Sequence, residues 1–380
     1  MHEVIVVGAG PAGSVAAAGL AKQGCPVLLL DKAEFPRDKV CGDGIGWNSI
    51  RLLSDLGLSL ESSMGRLHSC DRVRGFSPGG RVFEGSFPHK DGYCRHGYVI
   101  PRKRFDHVLW QFALQQGARF ERLRVTEPIM ERGVVCGVRG RIDRKVVECR
   151  ARITIAADGA NSVIARFLHP NKASSRHYAV AMRSYFAGVQ DLDCGVEFHF
   201  NQAHLPGYGW AFPMGEGVAN VGIGLRLDVY RQKAQPLSQV FERFIGAPGL
   251  AERLSKAEPI GDPKGCLLPL ASRSLQRVHN GVLLVGDAGA FVSPLTGGGI
   301  YNAMETGQIA AEVALEALQG NGGSLEELRR FEVRWRSVLA NKLRVEAMVQ
   351  RLLSWPGMLD LIIRQMGRSE RLANLVLNRF

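Results

Sequence analysis

The chain of 380 residues has no C-x-x-C pair among its eight cysteines and no His/Cys cluster at zinc-ligand spacing. Neither a disulfide framework nor a structural metal is indicated, and reduced thiols fit a cytoplasmic setting. No uninterrupted apolar run reaches the ~18 residues of a membrane-spanning helix. The first residues run straight into a β-branched stretch and leave no room for a signal peptide. The expected location is the cytoplasm, with peripheral contact at the inner membrane face as the alternative. No basic stretch is interleaved with aromatics and no nucleic-acid module is recognisable, so nucleic acid is the least favoured partner for the net charge of +12. Anionic lipid and an anionic substrate stay open. There is no internal repeat, no low-complexity segment and no second G-x-G-x-x-G loop. Nothing fixes the oligomeric state.

What is present begins at the N-terminus. Val4–Val7 is a short apolar strand that enters Gly8-Ala9-Gly10-Pro11-Ala12-Gly13, followed by an alanine-rich helix to about Lys22. A second apolar strand, Val27–Leu30, ends at Asp31. Glycines permit the tight turn and close approach of a diphosphate to the helix N-terminus, and an acid about 20 residues on suits a ribose diol. Strand, loop, helix, strand and acid come in order, which makes this a dinucleotide site. A second cofactor half-site lies at Leu283–Gly307, LLVGDAGAFVSPLTGGGIYNAMETG. Its strand ends at Gly286-Asp287, a proline-containing loop follows, and Gly297, Gly298 and Gly299 open a helix. An Asp at a strand end can hold a sugar-like hydroxyl, and a glycine-rich helix start can face an anion. A flavin needs both devices, whereas a plain nicotinamide dehydrogenase does not.

The organisation is interleaved. Residues 1–70, 101–170 and 276–320 are expected to form a discontinuous, Rossmann-like FAD-binding domain. Residues 71–100 and 171–275 form an antiparallel-sheet substrate domain, with strands at Val180–Phe186, Val196–Phe200, Gly209–Phe212 and Val218–Leu225. Arg152–Ala157 is an apolar strand that ends at Asp158-Gly159, a turn with a left-handed glycine on the simplest reading. The fold class is α/β with an antiparallel sheet, α+β overall, and residues 321–380 are a helical C-terminal region. Leu328, Phe331, Trp335, Val338, Leu339 and Leu343 recur at helical spacing there, Pro356-Gly357 breaks the run, and shorter apolar helices are expected over Met358–Met366 and Leu372–Phe380. This region either packs on the body or docks, arginines included, at a bilayer.

GAGPAG at 8–13, RKRFD at 102–106, ADGANS at 157–162 and GDAGAFVSPLTGGG at 286–299 together resemble the flavoprotein hydroxylase superfamily. More narrowly, FPRDKVCGDG (35–44) and PGYGWAFPMGEGVANVGIG (206–224) are similar to the geranylgeranyl reductase family. Val40 departs from that family's pattern, where proline is common.

The resemblance implies FAD as cofactor, reduced by NAD(P)H or a reduced protein donor. Gly8, Gly10, Ala12 and Gly13 would hold the diphosphate, and Asp31 with Lys32 the adenosine side. Arg102 would approach the ribityl or phosphate region, unless it is a surface cation at a helix start. Val125, Asp158, Gly286, Asp287 and Pro294 would add cofactor contacts, and Gly297–Gly299 would line the pyrimidine edge. Cys41, beside Gly42 in a loop open enough to face a flavin, would supply a proton as the catalytic acid. Its plain alternative is a small half-buried residue. Tyr208, Trp210 and Phe212 share one strand face and would grip a polyprenyl chain, or else serve as sheet core. Arg37, Lys39 and Asp43 surround the Cys41 loop, either to receive a diphosphate or phosphoglycerol head or as solvated charges. Nothing in the sequence fixes the directions of Glu216 and Asn220.

The implied reaction is reduction of prenyl double bonds in a lipid, quinone or diphosphate. The alternative is a flavin monooxygenase, a hydroxylase or epoxidase. A flavin halogenase fits least, because its W-x-W-x-I-P segment is replaced by Gly209-Trp210-Ala211-Phe212-Pro213.

Overall fold

The computed structural model describes residues 1–87, 96–171, 173–193, 195–201, 204–320 and 322–366. The apolar runs of the sequence become parallel strands with both faces covered. His2–Val7 lies between Lys145–Ala156 and Val27–Asp31, with Val282–Leu284 and Arg119–Arg122 beyond them, all parallel. Val4, Ile5 and Val6 have no exposure at all, which is why these strands read as continuous apolar runs rather than alternating ones.

Two helices cross this sheet and fix the geometry of the site. Pro11–Lys22 and Ile300–Gln319 pack through small residues. A Cβ on Gly307 would sit 2.2 Å from the Ala12 carbonyl oxygen, and one on Gly19 would meet Ala311 at 3.3 Å. Close approach of the two backbones is therefore written into the glycines. It brings both helix N-termini to the same edge of the sheet.

The second sheet has seven strands in the order Glu258–Pro269, Tyr178–Ala187, Val218–Arg226, Tyr208–Gly215, Gly195–His199, Arg72–Phe76 and Val82–Ser86. All neighbours are antiparallel except Gly195–His199 with Arg72–Phe76. Val240, Phe241 and Phe244 of the helix Leu237–Ile245 cover its outer face. A small third sheet joins Gly44–Ile45, Gly97–Val99 and Ser69–Cys70.

Two features differ from the sequence reading. Arg124–Glu131 and Val134–Ile142 form a hairpin that extends the long strand Lys145–Ala156. Its register shifts at Val135/Val138 and Arg139/Gly140, so the alternation that would have announced it is broken. In the C-terminal region, Arg336–Ala340 is a π-helical turn between Arg330–Trp335 and Asn341–Leu352. The wider turn shifts the helical phase. Leu328, Phe331, Trp335, Leu339 and Leu343 are buried against the body, whereas Val338 is exposed. Pro356–Met366 then packs Leu359 and Ile363 on Val73 and Phe83 of the second sheet. The helix expected over Leu372–Phe380 lies outside the described residues. No helix among the described residues is long and apolar enough to cross a membrane.

Candidate active site

One cavity of about 900 Å³ lies between the two large sheets. Gly8, Gly10, Ala12, Asp31, Lys32, Cys41, Gly42, Arg102, Val125, Asp158, Asp287, Pro294 and Gly297–Gly299 all line it, with Tyr208, Trp210 and Phe212. Gly13 and Gly286, expected among the cofactor contacts, stand behind the wall. A Cβ on Gly13 would lie 1.7 Å from the Gly8 carbonyl oxygen, and Gly286 (φ +53°) packs against Ala12 and Ala303. Gly13 is a glycine because backbone crosses backbone there, and Gly286 because its positive φ and the Ala12 and Ala303 side chains disfavour a Cβ.

The cavity fits FAD on three observations. Both helices that start at it, after Gly10 and after Gly299, have no side-chain cap and no acid in the first turn. Two unneutralised positive helix ends thus face one space, a setting for a diphosphate and for a second electron-rich group. Gly10 keeps its approach open, since a Cβ there would meet only Arg37, at 3.7 Å. Asp31 accepts from the Ala9 and Ala33 backbone N–H groups at 2.8 and 2.9 Å, which holds its carboxylate at the loop with further lone pairs free for a diol.

The loop of the second half-site is tied down from both sides. Tyr208 donates to the Thr296 carbonyl. From the C-terminal region, Ser293 donates to the buried Glu346 carboxylate at 2.7 Å, and Gln350 donates to the Pro294 carbonyl. Neither Glu346 nor Gln350 was visible in the sequence as a site residue. Lys342, one turn before Glu346, also lines the cavity. Replacing Glu346 by alanine removes a charged acceptor from Ser293, a loss worth about 1.5–3 kcal/mol when buried. Because much of that loss falls on loop order rather than global stability, flavin affinity is expected to drop roughly tenfold, read by fluorescence titration of apoprotein.

Arg102 is neither a surface cation nor free. Its guanidinium makes a two-point ion pair with Asp106 at 2.6 and 2.8 Å, and Arg37 adds a third contact to the same carboxylate at 2.7 Å. Burial opposes its charge, but Asp106 and then Cys41 more than offset this and hold its pKa above that of an ordinary arginine. Burial, the larger effect, pushes the Cys41 thiol up, while Arg102 and the Asp43 backbone N–H both pull it down. At neutral pH Cys41 is therefore a thiol with a cation waiting beside it. It can give up a proton and have the resulting charge compensated. Cys266, also on the cavity wall, is pushed up to about 11 by burial and by Cys41.

Opposite the thiol stands the aromatic strand. A Cβ on Gly42 would be 3.3 Å from the Phe212 ring and 3.5 Å from Trp210 Nε1, so glycine there lets the Cys41 loop lie against the rings. Gly222 does the same behind Trp210, where a Cβ would fall 2.2 Å from the indole. Phe198, not singled out in the sequence, stacks edge-on to both Tyr208 and Phe212 with centroids 5.3 Å apart.

Asn220 has a fixed direction after all. It accepts from Trp210 Nε1 at 2.9 Å and donates to both the Cys41 carbonyl and Asp43 Oδ2 at 2.9 Å. Asp43 also accepts from Tyr185 Oη at 2.6 Å, and it is fully buried with a backbone φ of 63°. Burial lifts its carboxyl to about 6. Stability that this group contributes below its ordinary carboxylate range is thus lost as pH rises through about 6. Asp158 accepts from the Val163 N–H at 2.8 Å at the start of the short helix Val163–Leu168, which Ser162 caps, and Gly159 has φ +79°.

A family model described as FAD binding domain matches residues 1–329. The chain is 36% identical over 342 residues to digeranylgeranylglycerophospholipid reductase 1 of Methanopyrus kandleri, covering 88% of this chain and 85% of that protein. It is 31% identical over 325 residues to menaquinone reductase of Mycolicibacterium smegmatis, covering 82% and 76%. A crystal structure of a geranylgeranyl bacteriochlorophyll reductase-like protein from Thermoplasma acidophilum superposes with a TM-score of 0.85. Its identity is 28%, over 96% of this chain and 90% of that one.

Proposed function

Because this chain belongs to the geranylgeranyl reductase branch of the FAD-binding domain family, we propose that it adds hydrogen across isolated carbon–carbon double bonds of a polyprenyl lipid. It is an FAD-dependent oxidoreductase. The observation that carries the reaction type is the neutral Cys41 thiol, set beside Arg102 in an aromatic-walled cavity that also holds the two flavin half-sites.

When bound, reduced FAD supplies the hydride. The residues of the chain do the rest. The Gly8–Ala12 loop and the helix start after Gly299 would hold the cofactor's anionic parts, and Asp31 would hold a ribose diol. Tyr208, Trp210, Phe212 and Phe198 clamp the apolar chain and keep water away. An isolated prenyl bond has no carbonyl to polarise, so an acid must act on carbon itself. Cys41 would give its proton to the less substituted carbon, leaving the more substituted one for the hydride, and Arg102 would compensate the thiolate left behind. With one dinucleotide loop in the chain, NAD(P)H acting transiently or a reduced protein donor returns the electrons.

The test is anaerobic. Dithionite-reduced holoenzyme is mixed with an unsaturated prenyl glycerolipid and, separately, with menaquinone, and the products are read by mass spectrometry. The expected result is a gain of one H₂ per reduced bond in at least one of them. A product that requires oxygen and gains an oxygen atom would instead establish a monooxygenase.

A further inference from the structure

After each proton donation Cys41 is left as a thiolate on the cavity wall, and the cycle needs a way to restore it. Asp43 is placed for this. It follows Cys41 by two residues, lines the same cavity, and its backbone N–H favours the charged form of the Cys41 thiol. Asn220 bridges the two, donating one hydrogen bond to the Cys41 carbonyl and another to Asp43 Oδ2. Asp43 Oδ2 is further occupied by Tyr185, while Oδ1 is buried with no hydrogen-bond partner among the described residues. A buried carboxyl oxygen without a partner is costly if charged and comfortable if protonated.

We propose that the Asp43 carboxyl, held by Asn220 and Tyr185, returns a proton to Cys41 after each double bond is reduced. This rests on the reading of Cys41 as the acid. In the step, the Asp43 O–H bond breaks and the Cys41 S–H bond forms, leaving a carboxylate. Tyr185, which is only partly buried, then acts as a relay: as its oxygen takes a proton from solvent water, its own phenolic proton moves to Asp43 Oδ2 and hydroxide is left in the solvent. One water-derived proton is consumed for each proton placed on substrate. The direction is downhill, since burial leaves the carboxyl the stronger acid of the pair.

The surrounding charges permit this titration. Arg183, on the strand Tyr178–Ala187, lies 4.1 Å over the Tyr185 ring and is itself paired with Asp38 at 2.8 Å. Lys264, on the strand Glu258–Pro269, takes the other Asp38 oxygen at 2.8 Å. Arg102, on the helix Arg102–Gln115, is held by Asp106. Arg183 and Lys264 thus share Asp38, Arg102 is held by Asp106, and among the described residues none of the three forms an ion pair with Asp43.

The experiment follows successive reductions by rapid quench, using holoenzyme with excess dithionite and a chain carrying several double bonds. Asp43→Asn is expected to complete the first reduction at the wild-type rate and to slow later ones at least about tenfold, because each then waits on solvent. Wild-type steady-state turnover is expected to fall as pH rises through about 6, and Asp43→Asn to lose that limb. Tyr185→Phe should slow later turnovers without touching the first. Equal rates and equal pH profiles for wild type and Asp43→Asn would overturn the proposal. So would a first turnover slowed as much as the later ones, which marks a residue that only positions Cys41. If Asp43→Asn does not fold, Tyr185→Phe alone decides by the same criterion. A wild-type first turnover in Cys41→Ala would instead bring down the acid reading itself.

Discussion

Alanine at position 41 is expected to lower prenyl reduction by about 10²–10⁴-fold, the range of a positioned general acid, while the purified protein keeps its full flavin content. The separation of effects follows from the geometry. Cys41 contributes a small side chain to a cavity whose cofactor-facing helix ends and Asp31 lie on other segments. Removing the thiol leaves Arg102 paired with Asp106 and the aromatic wall intact. Serine is the sharper comparison. It fills the same space, but its hydroxyl is a far weaker acid than a thiol, so Cys41→Ser should also be slow, above alanine only if water relays through it. Steady-state rates with occupancy read from flavin absorbance decide the matter. A wild-type rate in Cys41→Ala at full occupancy would remove Cys41 from the chemistry.

The second large effect separates two glycines three residues apart. Gly13→Ala would drive a methyl to 1.7 Å from the Gly8 carbonyl oxygen, backbone against backbone. Neither partner can swing aside, so the helix Pro11–Lys22 must lift from the first strand. A loss of about 3 kcal/mol or more is expected, the upper end for overpacking, with the protein isolated free of flavin and melting well below wild type. Gly10→Ala should behave differently. Its methyl would meet only Arg37 at 3.7 Å, so the fold should keep its melting temperature while the methyl intrudes where the diphosphate is proposed to lie. Weakened FAD binding at unchanged apoprotein stability is the expected signature. Normal FAD affinity in Gly10→Ala would mean that the diphosphate does not approach this loop.

Much of this arrangement is legible in the sequence because the motifs are local. The first strand, the glycine loop, the helix and Asp31 follow one another within about thirty residues, as a βαβ start does, and the second half-site is one continuous stretch. The alternation of Tyr208, Trp210 and Phe212 likewise gives their shared face. What stayed hidden are contacts made across the chain. Tyr185 and Asn220 meet Asp43 over separations of 142 and 177 residues, and no periodicity or motif links them. Glu346 reaches Ser293 across 53 residues, from a region whose pattern announces only helical packing. Arg102 lines the cavity wall, and its partner Asp106 lies in the same short RKRFD motif, but the third contact, from Arg37, is made across 69 residues.

The interleaved path of the chain has a consequence for how the protein comes apart and together. Arg72–Phe76 completes a sheet whose other central strands arise after residue 178, and Val282–Leu284 completes a sheet begun at His2. Neither sheet can be finished until the chain that builds the other has been threaded past it. Loop closure must therefore precede most of the reward, and folding is slow for the chain's size. By the same token neither half can melt alone. Heat or denaturant should open the cavity, the cofactor cradle and the lipid wall in one cooperative transition, and bound flavin should raise that single transition as a whole.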